Sequence, residues 1–322
     1  MSEKTVVFEV KDLKKSFPAA GGKEVRAVDG VSFVIHEGET FGLVGESGCG
    51  KTTCGRMLLG VYPPTGGEVL YYGQELGTLD RRQRMEFSKN VQMVFQDPYA
   101  CLDPRMSIGS IISEGLCVHF RLSAEERMRR VNEQLERVGL TSDYASRFPH
   151  ELSGGQRQRV GIARALAVEP RFIVCDEPIA ALDVSIQAQI VNLMIRLQRE
   201  LSLTYLFISH DLSMVRHISD RIGVMYLGSL VELAGNVQIH EKPLHPYTQA
   251  LFSAIPVPDP DHSWISNRIR LEGEIPSPLS LPPGCKFSSR CRLCTEECRK
   301  SPPALREVEP NHFVACHRVA GV

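Results

Sequence analysis

The stretch Gly45-Glu46-Ser47-Gly48-Cys49-Gly50-Lys51-Thr52 directly follows a short apolar run, Thr40–Val44, and together they decide the fold. The glycines of this pattern let the backbone curl until successive N–H groups point at phosphate oxygens. A helix beginning near Lys51 adds its positive N-terminal end, and the lysine supplies a cation to the β and γ phosphates of a nucleotide. The Thr52 hydroxyl is then a ligand for Mg²⁺. The preceding strand disfavours a chance match by a glycine-rich turn, so the sequence predicts a phosphate-binding loop (P-loop).

Apolar runs of strand length predict the rest of an α/β fold. In the first ninety residues they lie between glycine-rich breaks, at Val6–Val10, Val31–Ile35, Thr40–Val44 and Glu68–Tyr72. Further on, the runs Phe172–Cys175 and Tyr205–Ser209 flank an amphipathic helix, Ile186–Leu201. The order strand, helix, strand predicts a parallel-sheet core. Between about residues 107 and 139, apolar residues recur at helical spacing among charged ones, which predicts a helical segment.

The composition is that of an ordinary globular protein, with 43% hydrophobic and 23% charged residues. A net charge of −1 gives no electrostatic reason to expect nucleic acid as a partner. The best uncharged run, Ile222–Val231, is far shorter than the roughly 20 residues of a membrane-spanning helix. Glu3, Lys4 and Glu9 interrupt the amino terminus, which is unlike a signal peptide. The sequence therefore predicts a protein that is made in the cytoplasm and stays there.

A second chemical motif is the apolar run Phe172–Cys175, which ends in the carboxylates Asp176 and Glu177. Asp176 at the end of a strand can hold Mg²⁺, directly or through water, and Glu177 can polarise an attacking water molecule. An apolar run followed by Asp-Glu is common where a strand meets solvent, so it is a weak signal alone. With a P-loop upstream, it predicts nucleotide hydrolysis.

The stretch Leu152-Ser153-Gly154-Gly155-Gln156, which leads into a predicted helix Arg157–Ala167, resembles the signature motif of the ATP-binding-cassette (ABC) ATPase family. In physical terms it is a second phosphate site, made of a serine hydroxyl and glycine amides at a helix N-terminus. The resemblance implies that these residues contact the ATP held by an opposite subunit in a head-to-tail dimer.

The likeness to this family covers roughly residues 5 to 240 and implies a role for each matching position. The residues expected to bind ATP and Mg²⁺ are Phe17, Gly45–Thr53, Gln96 and Asp176. Phe17 would stack on adenine. The expected catalytic residues are Glu177, His210 and Gln96, while Asp183 would couple the two ATP sites of the dimer. The implied fold is a P-loop ABC ATPase domain over residues 1–240. It has a parallel-sheet core, an antiparallel β subdomain and a helical subdomain at about 98–150.

Residues 241–322, here called the carboxy-terminal extension, resemble the extension of oligopeptide and dipeptide importers. This likeness lies in the stretches Pro243–Thr248 and Leu251–Pro256. A second likeness, to the F-type ATPase subunit of these importers, lies in Cys175–Pro178 and Leu271–Pro278. The resemblance implies a D-type ATPase partner, two transmembrane permease subunits, an extracytoplasmic substrate-binding protein and a peripheral place on the cytoplasmic face of the inner membrane. Nickel, glutathione or glycosides remain alternative cargoes. A soluble ABC protein without a transport role is the rival from another class.

The sequence has ten cysteines, and their distribution is uneven. Five are scattered through the first 240 residues and are expected to be free thiols: Cys49, Cys54, Cys101, Cys117 and Cys175. Four others match positions that hold a [4Fe–4S] cluster in some family members: Cys285, Cys291, Cys298 and Cys316. Because Cys294, His312 and His317 lie nearby, zinc is an alternative, and reduced thiols are another. A metal would also stabilise a proline-rich segment that has little core of its own.

Overall fold

The computed structural model describes residues 5–255 and 268–319. The strands are β1 Val6–Pro18, β2 Glu24–His36, β3 Thr40–Val44, β4 Gly66–Tyr71, β5 Gln74–Glu75, β6 Val91–Val94, β7 Phe172–Asp176, β8 Thr204–Ser209, β9 Arg221–Tyr226, β10 Ser229–Gly235, β11 Arg306–Glu309 and β12 His312–Val314. The α-helices are α1 Lys51–Leu58, α2 Arg81–Asn90, α3 Ile108–His119, α4 Ala124–Arg137, α5 Gly154–Leu166, α6 Val184–Leu201, α7 Leu212–Ile218, α8 Asn236–Glu241, α9 Pro246–Ser253 and α10 Glu296–Lys300. Short 3-10 helices lie at Ala20–Gly22, Leu76–Thr78, Ser142–Ser146 and Pro149–Glu151. Glu3, Lys4 and Pro256, which entered the sequence analysis, lie outside the described residues.

The chain forms two compact units. One, the helical unit, consists mainly of Gly77–Ile208 together with the short segment His36–Glu39. The other, the P-loop unit, contains Val6–Ile35, Thr40–Leu76 and the described residues from Ser209 onward.

The helical unit has three parallel strands in the order β6-β7-β8. Every residue of β7 and β8 is buried, which is why these strands are continuous apolar runs without alternation. Helices α3, α4 and α5 pack against one another in the same unit. Two of its helices begin earlier than the sequence predicts, α5 at Gly154 and α6 at Val184, because Ser153 and Asp183 take the N-cap positions.

The P-loop unit contains an antiparallel sheet in the order β2-β1-β4-β5, with Phe8 of β1 opposite Tyr71 of β4. It also contains strands in the order β11-β12-β10-β9-β3. Within that set β3 and β9 are parallel, while β9, β10, β12 and β11 pair antiparallel. The predicted fold class, with a parallel core, an antiparallel β subdomain and a helical subdomain, is confirmed. None of the described helices is long and apolar enough to cross a bilayer.

The described part of the carboxy-terminal extension contains only short elements, as its proline content predicts. The sequence did not reveal that β12 adds to the edge of β10, with Glu232 opposite Val314. The side chain of Glu232 is fully buried there, and its carboxylate lies 2.7 Å from His312 Nε2. It also accepts hydrogen bonds from the N–H groups of Leu244 and His245. A buried carboxylate with several donors ties the extension to the preceding sheet.

Candidate functional site

The P-loop lies between β3 and α1, as predicted, and two of its glycines are required by the backbone. Gly50 is the N-cap of α1 with φ 104°, and a Cβ there would lie 2.0 Å from the Ala27 carbonyl oxygen. Gly45 has φ 151°, and a Cβ there would lie 2.2 Å from the Met225 carbonyl oxygen. No side chain caps α1. The N-terminal end of a helix attracts an anion through its backbone N–H groups and its dipole.

Lys51 is the first residue of α1, and its side chain turns back into the loop. Its ammonium group donates to the carbonyl oxygens of Gly45 at 2.8 Å and Glu46 at 3.1 Å. The residue is buried, with 4% of its surface exposed. The loop therefore holds one cation among backbone amides, an arrangement suited to a polyphosphate.

Two further predicted residues of the P-loop unit lie outside the loop itself. Phe17 is half-buried near the end of β1 and packs edge-on against Tyr62, with ring centroids 5.5 Å apart. The Lys15 ammonium lies 5.2 Å from the centre of the Phe17 ring. His210 is exposed and directly follows β8, and the next residue, Asp211, caps α7 by accepting from the N–H groups of residues 213 and 214.

In the helical unit the structure brings Gln96 and Glu177 together. The Gln96 side-chain amide donates to Glu177 Oε2 at 3.1 Å. Glu177 has φ 47°, a left-handed backbone conformation that is uncommon for a residue other than glycine. Its N–H donates to the Ile208 carbonyl at 2.9 Å, which fixes this turn after β7. Such strain collects at functional sites, and here it sets the direction of one carboxylate. Asp176, the last residue of β7, is buried.

The signature residues form the start of α5. Ser153 is the N-cap, its hydroxyl accepts from the Gln156 N–H, and the Gln156 side chain accepts from the Ser153 N–H at 2.9 Å. The Gln156 amide also donates to the Tyr144 hydroxyl at 2.9 Å. Ser153 is exposed, while Gly154 and Gly155 are half-buried. Asp183, the predicted coupling residue, is an exposed N-cap of α6 whose side chain makes no capping hydrogen bond.

Tyr247 and Arg290 also contact the P-loop, although no sequence pattern marks them for this role. The Glu46 N–H donates to the Tyr247 hydroxyl at 3.1 Å, and the Arg290 guanidinium lies 3.0 Å from the Glu46 carboxylate. Tyr247 belongs to the stretch Pro243–Thr248, which resembles the extension of peptide importers, but that resemblance implies no role for the tyrosine. Arg290 had no signal, because a lone arginine in an irregular segment has no pattern that marks it.

The predicted [4Fe–4S] cluster at Cys285, Cys291, Cys298 and Cys316 is wrong. Within residues 5–255 and 268–319, no group of three or more His, Cys, Asp or Glu side chains could hold a metal ion. A cysteine binds a metal ion through its thiolate form. Burial raises the pKa of Cys285 to about 11 and also raises the pKa values of Cys291 and Cys316. Sulfur of Cys298 lies 3.2 Å from the Thr295 hydroxyl oxygen.

The zinc alternative fails on the same observation, and its histidines have other partners. His312 Nε2 pairs with the buried carboxylate of Glu232. His317 Nε2 lies 3.0 Å from the carbonyl oxygen of Ser301. The Cys294 thiol donates to the carbonyl oxygen of Thr295. In the described part of the extension, these contacts and the pairing of β12 with β10 hold the chain in place.

Two family models match the chain. A model described as ABC transporter matches residues 28–180, and one described as Oligopeptide/dipeptide transporter, C-terminal region, matches residues 231–298. The chain is 56% identical to a putative oligopeptide transport ATP-binding protein, YkfD, of Bacillus subtilis, over 97% of this chain and 95% of that protein. It is 48% identical to the oligopeptide transport ATP-binding protein OppF of Salmonella typhimurium, over 99% of this chain and 98% of that protein.

Solved structures give the same result for the cassette. The dimeric post-hydrolysis state of the ATP-binding cassette MJ0796, bound to ADP and phosphate, superposes with a TM-score of 0.65 at 31% identity, covering 71% of this chain and 98% of that one. CbiO1 from Clostridium perfringens, part of an ABC transporter complex, superposes with a TM-score of 0.65 at 28% identity and covers 74% of this chain and 92% of that one.

Proposed function

Because this chain belongs to the ATP-binding proteins of the ABC transporter family, in its oligopeptide and dipeptide branch, we propose that it hydrolyses ATP to drive the import of short peptides. The observation that carries the hydrolytic role is the hydrogen bond of 3.1 Å between Gln96 and the strained Glu177. Peptide cargo is supported by the match of residues 231–298 to the extension of peptide transporters and by relatives named for oligopeptide transport.

In the proposed mechanism, the P-loop amides from Gly45 to Thr53 and the Lys51 ammonium bind the triphosphate. Glu177 accepts a proton from a water molecule while the oxygen of that water attacks the γ-phosphorus. The bond between that phosphorus and the β–γ bridging oxygen breaks, which releases ADP and phosphate. The Gln96 amide keeps the Glu177 carboxylate in one orientation, and we assign His210 to the γ-phosphate and Phe17 to adenine from the family likeness.

Mg²⁺ neutralises phosphate charge when it is bound. Thr52 and Asp176 are the residues we assign to it, because a hydroxyl and a carboxylate supply the hard oxygen ligands that this ion prefers. Asp176 is 3% exposed at the end of β7, and a buried carboxylate is normally paired with a cation or hydrogen-bonded.

We further propose that this chain is the F-type subunit of its importer and pairs with a D-type ATPase. Relatives named OppF, at 48–54% identity over nearly the full chain, support this assignment. In the pair, Ser153, Gly154, Gly155 and Gln156 would contact the ATP of the partner, and Asp183 would couple the two sites. The domain division proposed for the chain is an ATPase domain over 1–240, with a helical subdomain at about 98–150, and an extension over 241–322.

The remaining proposed partners are two permease subunits and an extracytoplasmic substrate-binding protein, which places the chain at the cytoplasmic face of the inner membrane. We assign docking of the permease to residues 98–112 of the helical unit. Tyr99 in that segment is 62% exposed, and the Arg157 guanidinium lies 3.8 Å from the centre of its ring. Tyrosine and arginine are enriched among the residues that contribute most to binding between proteins, which supports this assignment.

The hydrolytic role is tested with Glu177→Gln, which keeps the size of the side chain and its bond to Gln96 but removes the charge. In the assembled transporter, turnover should fall by about 10² to 10⁴-fold while ATP binding is retained. Glu200→Gln, the same change at an exposed position on α6, is the matched control and should leave turnover unchanged. Near wild-type hydrolysis by Glu177→Gln would overturn the role of Glu177.

Assembly and docking are tested by reconstitution. The chain alone should hydrolyse ATP slowly and gain activity when the D-type subunit and both permeases are added, since each signature motif acts on the ATP of its partner. Crosslinkers placed at Tyr99 should capture a permease subunit. Crosslinks confined to the carboxy-terminal extension would refute the docking assignment, and peptide uptake by vesicles that contain the complete transporter would test the cargo.

A further inference from the structure

The second residue of the P-loop, Glu46, has its backbone N–H and its side-chain carboxylate bound by the carboxy-terminal extension. The two contacting residues, Tyr247 and Arg290, are about 200 and 244 positions away in sequence. All three lie in the P-loop unit. The loop that binds phosphate is therefore fixed at its start by a segment that no motif connects with the nucleotide.

The Arg290 guanidinium binds the Glu46 side chain. Its Nη1 donates to both carboxylate oxygens, at 3.1 and 3.0 Å, and lies 3.5 Å from the Tyr226 hydroxyl. The Arg290 side chain is 8% exposed and that of Glu46 is 26% exposed. Removing one member of such a sheltered pair leaves the other charge poorly solvated, so its effect exceeds that of an exposed surface pair.

Tyr247 binds the Glu46 backbone. It is fully buried in α9, and its hydroxyl oxygen accepts from the Glu46 N–H at 3.1 Å. Its ring packs against Tyr226 and Phe287, with centroids 4.7 and 5.4 Å away. Burial raises the pKa of Tyr247, which keeps the phenol neutral. The Glu46 N–H is thus bonded to a rigid aromatic cluster, and the loop begins from a fixed point.

A second path joins the extension to the other side of the loop. The Gly228 N–H, in the turn between β9 and β10, donates to the Cys49 carbonyl at 2.9 Å. Lys286 of the extension donates to the Leu227 carbonyl at 2.9 Å and to Ser229 Oγ at 2.7 Å, on either side of that glycine. It also pairs with Asp29 at 2.9 Å. The extension therefore supports the loop directly at Glu46 and indirectly at Cys49.

We propose that Tyr247 and Arg290 are positioning residues for the P-loop, so that the carboxy-terminal extension sets the affinity of this chain for ATP. The inference rests on the proposed ATP site at Gly45–Thr53. A glycine-rich loop has many conformations, and ATP binding must select the one in which the amides converge on phosphate. Bonds that hold Glu46 in place before ATP arrives reduce this entropic cost, and their loss should weaken binding.

The test measures ATP binding by the purified full-length chain and KM and kcat for ATP in the assembled transporter. Arg290→Ala should raise Kd and KM for ATP roughly 10-fold, the size expected for a lost bond to a charged group. The value of kcat should change less than about twofold, because Glu177 and Gln96 are untouched. Arg290→Lys keeps a cation within reach of Glu46 and should recover most of the affinity. Tyr247→Phe removes only the oxygen and should raise KM by about 3-fold or more.

Arg292→Ala is the matched control, since Arg292 is an exposed arginine two residues farther along and should leave KM unchanged. Adding Arg290→Ala to Glu46→Ala should weaken ATP binding no further, because the two side chains act as one contact. The proposal is overturned if Arg290→Ala matches Arg292→Ala, or if it lowers kcat and thermal stability at constant KM. A wild-type transporter without ATPase activity would instead refute the proposed function.

Discussion

Two helices of this protein begin at glycine-containing motifs that we expect to bind phosphate, yet their N-termini are built in opposite ways. Helix α1 of the P-loop unit starts at Gly50, which has a positive φ and offers no side-chain cap. Helix α5 of the helical unit starts at Ser153, whose hydroxyl and Gln156 partner form a complete capping box. The first start has no side-chain cap at its N-cap residue, whereas the second is stabilised by its own side chains.

The two helix starts differ in how far along the chain their stabilising partners lie. The signature start is ordered locally, because every capping partner lies within three residues. The P-loop start is ordered from a distance, through Tyr247, Arg290 and the turn at Gly228. Changes at the P-loop should therefore affect ATP affinity in this chain, while changes at the signature should affect helix stability and turnover in the assembled dimer.

The largest expected effect on ATP binding is at Lys51. Lys51→Met keeps the length of the side chain but removes the cation, and it should weaken ATP binding by roughly 100-fold, as expected for lost hydrogen bonds to a charged group. Equilibrium binding of ATP to the purified chain measures it, with Lys23→Met at an exposed position as the control. Tight binding by Lys51→Met would break the contrast between the two helix starts.

A loss of folding stability should appear on acidification, through His245 at the start of α9. The His245 ring accepts from the Tyr247 N–H at 3.1 Å, and burial lowers its pKa from 6.5 to about 4. Between pH 4 and pH 6.5, His245 is therefore neutral in the folded protein and protonated in the unfolded chain. Stability should be complete above pH 6.5 and fall as pH decreases from 6.5 to 4, by up to roughly 3 kcal/mol.

Denaturant titrations across this pH range measure the loss of stability. His245→Asn retains a side-chain oxygen for the cap but cannot titrate, so the part of the slope due to His245 should vanish. Equal slopes for the wild type and His245→Asn would show that His245 does not govern acid sensitivity.

The smallest expected effect is at the signature. Ser153→Ala removes the N-cap of α5 and should cost about 1 kcal/mol of stability, while the chain alone still binds ATP. Ser123→Ala removes the same kind of capping box from α4 and is the matched control for stability. Only Ser153→Ala should lower turnover in the assembled transporter. Equal turnover of the two variants would indicate that Ser153 is merely structural.

The sequence predicted the elements whose signals are local. The strand before the P-loop, the glycines at Gly45 and Gly50, and the run ending at Asp176 all follow from neighbouring residues, and the structure has them. The bounds of α5 were missed by three residues, because Ser153 looks like a loop residue until its cap to Gln156 is known. The assignment of ATP contacts, including Phe17 and His210, stays a prediction.

The cysteine cluster shows where a pattern misled. Four cysteines at matching positions predicted a [4Fe–4S] site, but spacing along an irregular segment does not determine whether the sulfur atoms converge on one point. Among the residues that the structure describes, no group of these side chains could hold a metal ion, and His312 pairs with Glu232. The sequence could not show this, because the partner of His312 lies 80 positions away.

The sequence by itself determined the P-loop, the signature motif and the alternation of strands and helices, since each depends on the conformational preferences of residues close in the chain. Only the tertiary structure decided which groups hold Glu46, how β12 joins β10, and which carboxylate Gln96 meets. These contacts join residues between 81 and 244 positions apart. No local preference encodes them, because they form only where packing of the whole unit places buried polar groups within bonding distance.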